Sequence, residues 1–134
     1  MNAFANPIER SFELAAERCE DLTQPVYQRL FRDHPEARAM FRSEGGDLVR
    51  GSMLALAVEA ILDFAGERSG HFRLIGSEVT SHDAYGTSRA LFVDFFRVIR
   101  DTLREMLGSA WTGEIDAAWQ RLLREIDDLV AVSV

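Results

Sequence analysis

Ser81-His82-Asp83-Ala84-Tyr85-Gly86 is the stretch on which the interpretation of this sequence depends. It lies between two apolar segments with helical spacing, and its last residue is a glycine, which commonly terminates a helix. A histidine at such a position has two interpretations. It is either a polar residue that interacts favourably with the helix dipole or a ligand that binds a metal through a ring nitrogen. The rest of the sequence is needed to choose between them.

The chain before this stretch has the periodicity of helices. Asn6-Pro7-Ile8-Glu9 combines a capping residue, a proline in the first turn and a glutamate three residues after the cap, which predicts a helix start. A second helix begins near Thr23 or is kinked there, because Pro25 lies early in its apolar pattern. The inward-facing residues expected on these two helices are Ile8, Phe12, Ala15, Ala16, Leu22, Val26, Leu30 and Phe31.

The helical pattern continues to the end of the chain. We expect a short element at 36–41, a helix at 47–65 capped by Asp47, a helix at 71–82, and two long helices capped by Thr87 or Ser88 and by Thr112. Gly108 ends the first of the two long helices. The apolar side of the helix at 47–65 is predicted to carry Met53, Leu56, Ala57, Ala60, Ile61 and Phe64. With no strand signal, the 134 residues predict one all-α domain, 1–134.

Composition argues against several classes of function. The formal net charge of −7 disfavours binding to nucleic acid or to an anionic membrane through the whole surface. The longest apolar stretch, 53–61, contains Glu59 and is too short to span a bilayer. No glycine-rich phosphate loop or helical zinc pair is present. A single cysteine, Cys19, cannot form an internal disulfide, so we expect a reducing cytoplasm as the compartment.

Three groups of landmarks resemble the globin family, specifically bacterial single-domain globins and the haem domains of flavohaemoglobins. The segment 26–31 with His34-Pro35-Glu36 and Met40-Phe41 is similar to the second and third helices and the corner after them. The stretch 82–86 is similar to the proximal motif. Thr102-Leu103, Leu107-Gly108, Trp111-Thr112, Glu114 and Ala118-Trp119 are similar to the end of the seventh helix and the start of the eighth. The resemblance spans about residues 8 to 130 and implies a globin-like fold of seven to eight helices enclosing a haem pocket.

The resemblance implies haem b, iron protoporphyrin, held between the helix at 47–65 and the helix that ends at His82. His82 would be the protein ligand of the iron, with its second ring nitrogen donating to a backbone carbonyl such as that of Glu78. His71 is an alternative ligand, ranked below His82 because it starts its helix. Glu78 departs from the family pattern, in which an apolar residue stands one turn before the histidine. Other residues expected to contact the cofactor from this side are Val79, Tyr85 and Phe92.

On the opposite, distal side the resemblance implies that Phe41 packs flat on the porphyrin and that the Tyr27 hydroxyl enters the ligand pocket. A hydroxyl donor there stabilises a diatomic ligand that gains negative charge. The distal helix lacks the usual glutamine or histidine, and its register is open. Either Val49 and Met53 face the pocket, which the apolar stripe favours, or Leu48 and Ser52 do. Arg50 is a second polar contact, and Arg50 or Arg89 is expected to hold the haem propionates.

The implied function is reversible binding of a diatomic gas, namely dioxygen, nitric oxide or carbon monoxide, for storage, delivery or sensing. The chain ends at Val134, just after the eighth helix, so redox turnover would need a separate reductase. The enzymatic alternative is a nitric oxide dioxygenase or a peroxidase with such a partner. Tyr27 could support this activity, but no second catalytic residue is identified. The third alternative is a haem-free globin-fold module for interaction or sensing.

Overall fold

The computed structural model describes residues 6–41, 46–66 and 89–132, apart from the side chains of residues 39–41, 46–49 and 132. These ranges contain five α-helices and two 3-10 helices and no strand, which confirms the all-α prediction. The elements in chain order are α1 (Pro7–Ala16), α2 (Thr23–Asp33), a first 3-10 helix (Pro35–Phe41), α3 (Gly46–Ala65), α4 (Arg89–Leu107), a second 3-10 helix (Gly108–Ala110) and α5 (Gly113–Val132). The helix expected at 71–82, Gly86 and the expected caps Thr87 and Ser88 lie outside the described residues.

Local sequence signals fix most of the helix boundaries. The Asn6 side chain accepts a hydrogen bond from the Glu9 backbone N–H at 2.8 Å, and the Thr112 hydroxyl accepts one from the Ile115 N–H at 3.1 Å, so both predicted caps are confirmed. α2 begins at Thr23, which leaves its proline in the first turn, where no intrahelical N–H bond is lost. Gly108 follows α4 with a φ of +51°, a left-handed conformation that glycine adopts without a Cβ clash.

The core is centred on Trp119, which is 0% exposed. Its indole Nε1 donates to the Ser11 hydroxyl at 3.0 Å, and that hydroxyl donates to the Ile8 carbonyl at 2.6 Å. The centre of the Phe12 ring lies 5.8 Å from that of the Trp119 ring, so the two rings pack together. Helices α1, α4 and α5 pack against one another around this group. Each polar group in this series of hydrogen bonds, the Trp119 indole N–H, the Ser11 hydroxyl and the Ile8 carbonyl, therefore has a partner, as burial requires.

The remaining helices form the other side of the domain. α2 packs against α4, and α3 packs against α1, α2 and the first 3-10 helix. The Asn6 amide donates to the Ala65 carbonyl at 3.5 Å, which joins the start of α1 to the end of α3. Among the residues placed by the structure, no helix is both long enough and apolar enough to cross a bilayer.

Three expectations about these helices were wrong. Ala16, expected to face inward on α1, is exposed, whereas Ser11 is buried. The burial of Ser11 is tolerated because its hydroxyl accepts from the Trp119 N–H and donates to the Ile8 carbonyl. On α3, Leu54 is buried and Leu56 is 45% exposed. The expected residues Ala57, Ala60, Ile61 and Phe64 are buried. Because the helix is apolar around most of its circumference, periodicity did not distinguish the two leucines. α3 begins at Gly46, which places Asp47 in the first turn rather than at the cap.

Candidate functional site

Tyr27 is the polar centre of the described part of the site. It projects from α2, is 2% exposed, and its ring lies 5.9 Å from that of Phe31 and 5.8 Å from that of Phe95. Its hydroxyl donates to the backbone carbonyl of Arg50 on α3 at 3.0 Å. The only hydrogen that this hydroxyl can donate therefore connects the two helices in the structure.

Burial sets the protonation state of this phenol. Removal from water raises the pKa of Tyr27 well above its usual value, because desolvation penalises the phenolate. The nearby positive charge of Arg50 opposes this increase without cancelling it. Tyr27 is consequently a neutral hydrogen-bond donor throughout the physiological pH range.

An aromatic cluster extends from Tyr27 along α4. The centre of the Phe95 ring lies 6.2 Å from that of the Phe96 ring, and the centre of the Phe96 ring lies 5.6 Å from that of the Phe92 ring. Both pairs are arranged edge-on. Phe96 is buried, whereas Phe92 and Phe95 are only half-buried. The structure therefore connects Phe92, expected near the cofactor from the sequence, to Tyr27 through a continuous series of rings.

One edge of α3 carries apolar side chains that the protein covers incompletely. Met53 is half-buried, and Leu56, three residues later on the same edge, is the one large apolar side chain classed as exposed within the described ranges. Ser52 is exposed to solvent. The carbonyl that accepts the Tyr27 hydroxyl belongs to the turn before Met53, so this edge begins beside the phenol.

The arginines expected near the haem propionates occupy different surroundings. The Arg50 guanidinium carbon lies 5.9 Å from the centre of the Phe31 ring, and that of Arg38 lies 5.1 Å from the same centre. Arg89 donates to the carbonyl of Val130 at 3.1 Å, which joins the start of α4 to the end of α5. Of the two candidates, Arg50 is therefore the one located beside Tyr27.

Several expected site residues lie beyond what the structure describes. His82, Val79 and Tyr85, together with Glu78 and the alternative ligand His71, fall outside the described residues. Phe41 is the last residue of the first 3-10 helix and Val49 lies one turn before Met53 in α3, but their side chains are not described. Among the expected residues that are described, the structure brings Tyr27 and Arg50 into direct contact.

Sequence reasoning missed the role of Arg38. This residue follows Pro35, in a separate element from Phe31, so no helical spacing rule connects the two side chains. Phe31 was expected only as a core residue. A cation next to an aromatic ring is favourable because the ring face is electron-rich, but the sequence carried no signal for this pair.

The comparison with known families agrees with this arrangement. A family model described as Globin matches residues 24–129, which is more than half of the chain and includes α3, α4, all but the first residue of α2 and most of α5. No curated protein and no solved structure gives a significant match. The match confirms the expected globin-like all-α fold, supports haem binding in general and implies a diatomic gas as the ligand. The chain belongs to the globin family.

Proposed function

We propose that the chain is a haem b globin that binds dioxygen, nitric oxide or carbon monoxide reversibly, for storage, delivery or sensing. The observation that carries the proposal is the match to the globin family over residues 24–129. The geometry around Tyr27 and the uncovered edge of α3 add independent physical support. An apolar crevice suits all three roles, and a neutral hydrogen-bond donor beside the gas would stabilise bound dioxygen, which gains negative charge.

The described residues fit a flat, largely apolar macrocycle. An exposed leucine is ordinary by itself, but Leu56 follows half-buried Met53 on the same edge of α3. A macrocycle against this edge would remove both side chains from water, which is favourable by about 25 cal/mol for each Å² of apolar surface buried. Half-buried Phe92 adds an aromatic surface on α4.

The residues that would hold the haem follow from the family resemblance. His82 would be the protein ligand of the iron, with its second ring nitrogen donating to the Glu78 carbonyl, and Arg50 would hold a propionate. When bound, the haem would supply an iron that binds a diatomic gas reversibly. The remaining proposed contacts are apolar or aromatic: Phe41, Val49, Met53, Val79, Tyr85 and Phe92. Half-buried Met53 and exposed Ser52 support the register in which Val49 and Met53 face the cofactor.

Tyr27 is the proposed donor to the gas ligand. Its pKa is raised by burial, so it keeps its proton and can donate. Its hydrogen points to the Arg50 carbonyl at 3.0 Å, so donation to a ligand requires rotation of the hydroxyl away from that oxygen. The carbonyl loses little in the exchange, because an α-helical carbonyl already accepts from the N–H four residues later.

The proposal extends to the cellular setting. Cys19 is the only thiol of the chain and is half-buried, which supports a reducing cytoplasm. Oxidative turnover, such as nitric oxide dioxygenation, would take its electrons from a separate reductase.

The first experiment is an absorption spectrum of the purified chain after reconstitution with hemin. We expect a sharp near-ultraviolet haem band that changes in position and intensity in the His82→Ala variant. The matched control is His71→Ala, which removes the alternative histidine and should leave the band unchanged. A chain that yields no band contradicts haem binding, whereas a band altered only in His71→Ala reverses the ligand assignment.

The second experiment measures the rate of dioxygen release from the reduced, haem-loaded protein. Tyr27→Phe should accelerate release about tenfold to a hundredfold, because a hydrogen bond to a charged group contributes roughly 1.5–3 kcal/mol. An unchanged rate would mean that the hydroxyl stays on the Arg50 carbonyl when the gas is bound.

A further inference from the structure

His34 lies between two carboxylates that belong to different elements. It is the residue between α2 and the first 3-10 helix, and its side chain is 25% exposed. Its Nδ1 lies 3.3 Å from an oxygen of Glu36 on the 3-10 helix, and its Nε2 lies 3.3 Å from an oxygen of Asp94 on α4. The ring therefore connects the corner after α2 to α4.

The protonation state of this imidazole decides how many of its contacts are favourable. A neutral ring has one N–H and one lone pair, whereas the charged ring donates from both nitrogens. With a neutral ring, one of the two carboxylates would face a lone pair at 3.3 Å, which is repulsive. Only the charged ring of His34 is attracted to Glu36 and Asp94 at the same time.

The end of α2 favours the same charged form. The His34 backbone N–H donates to the Leu30 carbonyl at 2.7 Å, so His34 is the C-terminal cap of this helix. The C-terminus of a helix carries partial negative charge and attracts a cation within its last turn. The other two charged residues at this end, Arg32 and Asp33, pair with each other at 3.2 Å.

The charges on α4 and α5 leave this site with too little positive charge. Arg97 on α4 lies 3.5 Å from Asp94 and 2.6 Å from Asp127 on α5, so one guanidinium is shared by two carboxylates. Together with Glu36, three carboxylates have a single arginine among them when His34 is neutral. A charged His34 supplies a second positive charge and reduces the repulsion among the carboxylates.

The cations of the other neighbouring elements are located at a different side chain. The guanidinium carbons of Arg38, on the first 3-10 helix, and Arg50, on α3, lie 5.1 and 5.9 Å from the centre of the Phe31 ring. Neither arginine forms an ion pair with Glu36 or Asp94 in the part of the chain that the structure describes. The positive charge beside these two carboxylates therefore comes from Arg97 and from the histidine between them.

We infer that His34 is a pH-sensitive clasp, which joins the end of α2 to α4 in its charged form and weakens when the ring loses its proton. Histidine side chains change charge between about pH 5 and 8, whereas carboxylates generally stay ionised there. The stability contributed by the clasp is present while the ring is charged, so it declines as the pH rises through this range. The clasp goes beyond haem binding, because His34, Glu36 and Asp94 are not among the proposed haem contacts.

The experiment is urea unfolding of the full haem-free chain at pH 5.5 and at pH 8.5. His34→Gln should lower the folding equilibrium constant about fivefold at the lower pH, the upper range for a partly exposed ion pair, and less than twofold at the higher pH. Arg32→Gln is the matched control, because it removes a cation from the same helix end that stays charged at both pH values. Its effect should be the same at both.

Two results of this experiment would overturn the clasp. An equal loss in His34→Gln at both pH values would mean that a neutral hydrogen bond accounts for the whole contribution of the ring. The same pH dependence in Arg32→Gln would assign the effect to the general charge at the end of α2. Either result leaves the haem proposal unaffected, since no haem is present in the measurement.

A second set of variants tests the connection to α4. In an Asp94→Asn background at pH 5.5, the loss caused by His34→Gln should shrink from about fivefold to about twofold, because only the contact with Glu36 remains. Asp101→Asn is the matched control, since Asp101 is a carboxylate of α4 that pairs with Arg100. The full fivefold loss should persist in that background. An undiminished loss in Asp94→Asn would contradict the clasp between α2 and α4.

Discussion

Trp119 and Tyr27 are both buried aromatic residues that donate one hydrogen bond at 3.0 Å, yet their acceptors differ. Trp119 donates to a serine hydroxyl that is itself fully buried. Tyr27 donates to a helix carbonyl, which accepts a second bond within α3. Loss of the first bond leaves a buried group without a partner, whereas loss of the second does not. The comparison separates a structural hydrogen bond from one that can be exchanged for a ligand.

The packing around the two residues follows the same division. Around Trp119, helices α1, α4 and α5 enclose the indole completely. Around Tyr27, the rings of Phe92 and Phe95 are half-buried, Met53 is half-buried, and Leu56 is exposed. The first region is a closed core, whereas the second has half-buried and exposed apolar side chains that the proposed cofactor would cover.

The largest expected effect is that of Trp119→Ala. Removal of the most completely buried large side chain should lower the free energy of unfolding by about 3–5 kcal/mol. Urea unfolding monitored by far-ultraviolet circular dichroism measures it. Trp111→Ala is the matched control, since Trp111 is only half-buried, and it should cost clearly less. Equal losses would show that the core is not centred on Trp119.

A pair of leucines on α3 tests its buried side. Leu54→Ala should cost about 2–5 kcal/mol in haem-free protein, because Leu54 is 5% exposed. Leu56→Ala should stay within about 0.5 kcal/mol, because Leu56 is 45% exposed. Chemical unfolding of the two variants in parallel checks the difference, and the reverse order would mean that α3 is rotated relative to the structure.

Ser11→Ala and Tyr27→Phe compare the two hydrogen bonds directly. Ser11→Ala leaves the Trp119 N–H buried without its acceptor and should cost about 1–3 kcal/mol. Tyr27→Phe leaves the Arg50 carbonyl with its helical partner and should cost at most about 1 kcal/mol in the haem-free chain. The measurement is the midpoint of denaturant unfolding. A larger loss in Tyr27→Phe would make that bond structural and weaken its proposed role toward the gas ligand.

Alkaline pH provides an effect that is absent at neutral pH and appears only above about pH 10. An unfolded tyrosine loses its proton near pH 10, while the raised pKa of Tyr27 keeps the proton on the folded chain. Above pH 10 the unfolded state therefore binds fewer protons than the folded state, and stability falls as pH rises. The slope should approach about 1.4 kcal/mol per pH unit. Tyr27→Phe should flatten this decline, and a variant with the same slope would show that Tyr27 is not the residue responsible.

The helices and their ends were largely readable from the sequence because capping and apolar periodicity are local. Asn6 and Thr112 cap their helices as expected, and Gly108 ends α4. Long-range pairs were not readable. Ser11 is a polar residue whose burial depends on a tryptophan 108 residues away. On α3 the expected residues Ala57, Ala60, Ile61 and Phe64 are buried, but Leu54 was missed in favour of Leu56 because both leucines are apolar.

The candidate site was readable only in part. The family resemblance identified Tyr27 as a polar pocket residue, but its bond to the Arg50 carbonyl depends on how α2 and α3 are placed. The position of Arg38 beside Phe31 depends on the turn at Pro35, which no periodicity describes.

The most direct test is the thermal unfolding curve of the full chain, recorded with and without excess hemin. It measures whether a cofactor stabilises the folded chain, as expected if haem binds beside Tyr27. If haem completes the region around Tyr27, a free hemin concentration one hundred times its Kd should stabilise the folded state by about 2.7 kcal/mol. That stabilisation corresponds to a rise in Tm on the order of 10 °C for a chain of this length. Superimposable curves would contradict the proposal that a cofactor completes this side of the fold.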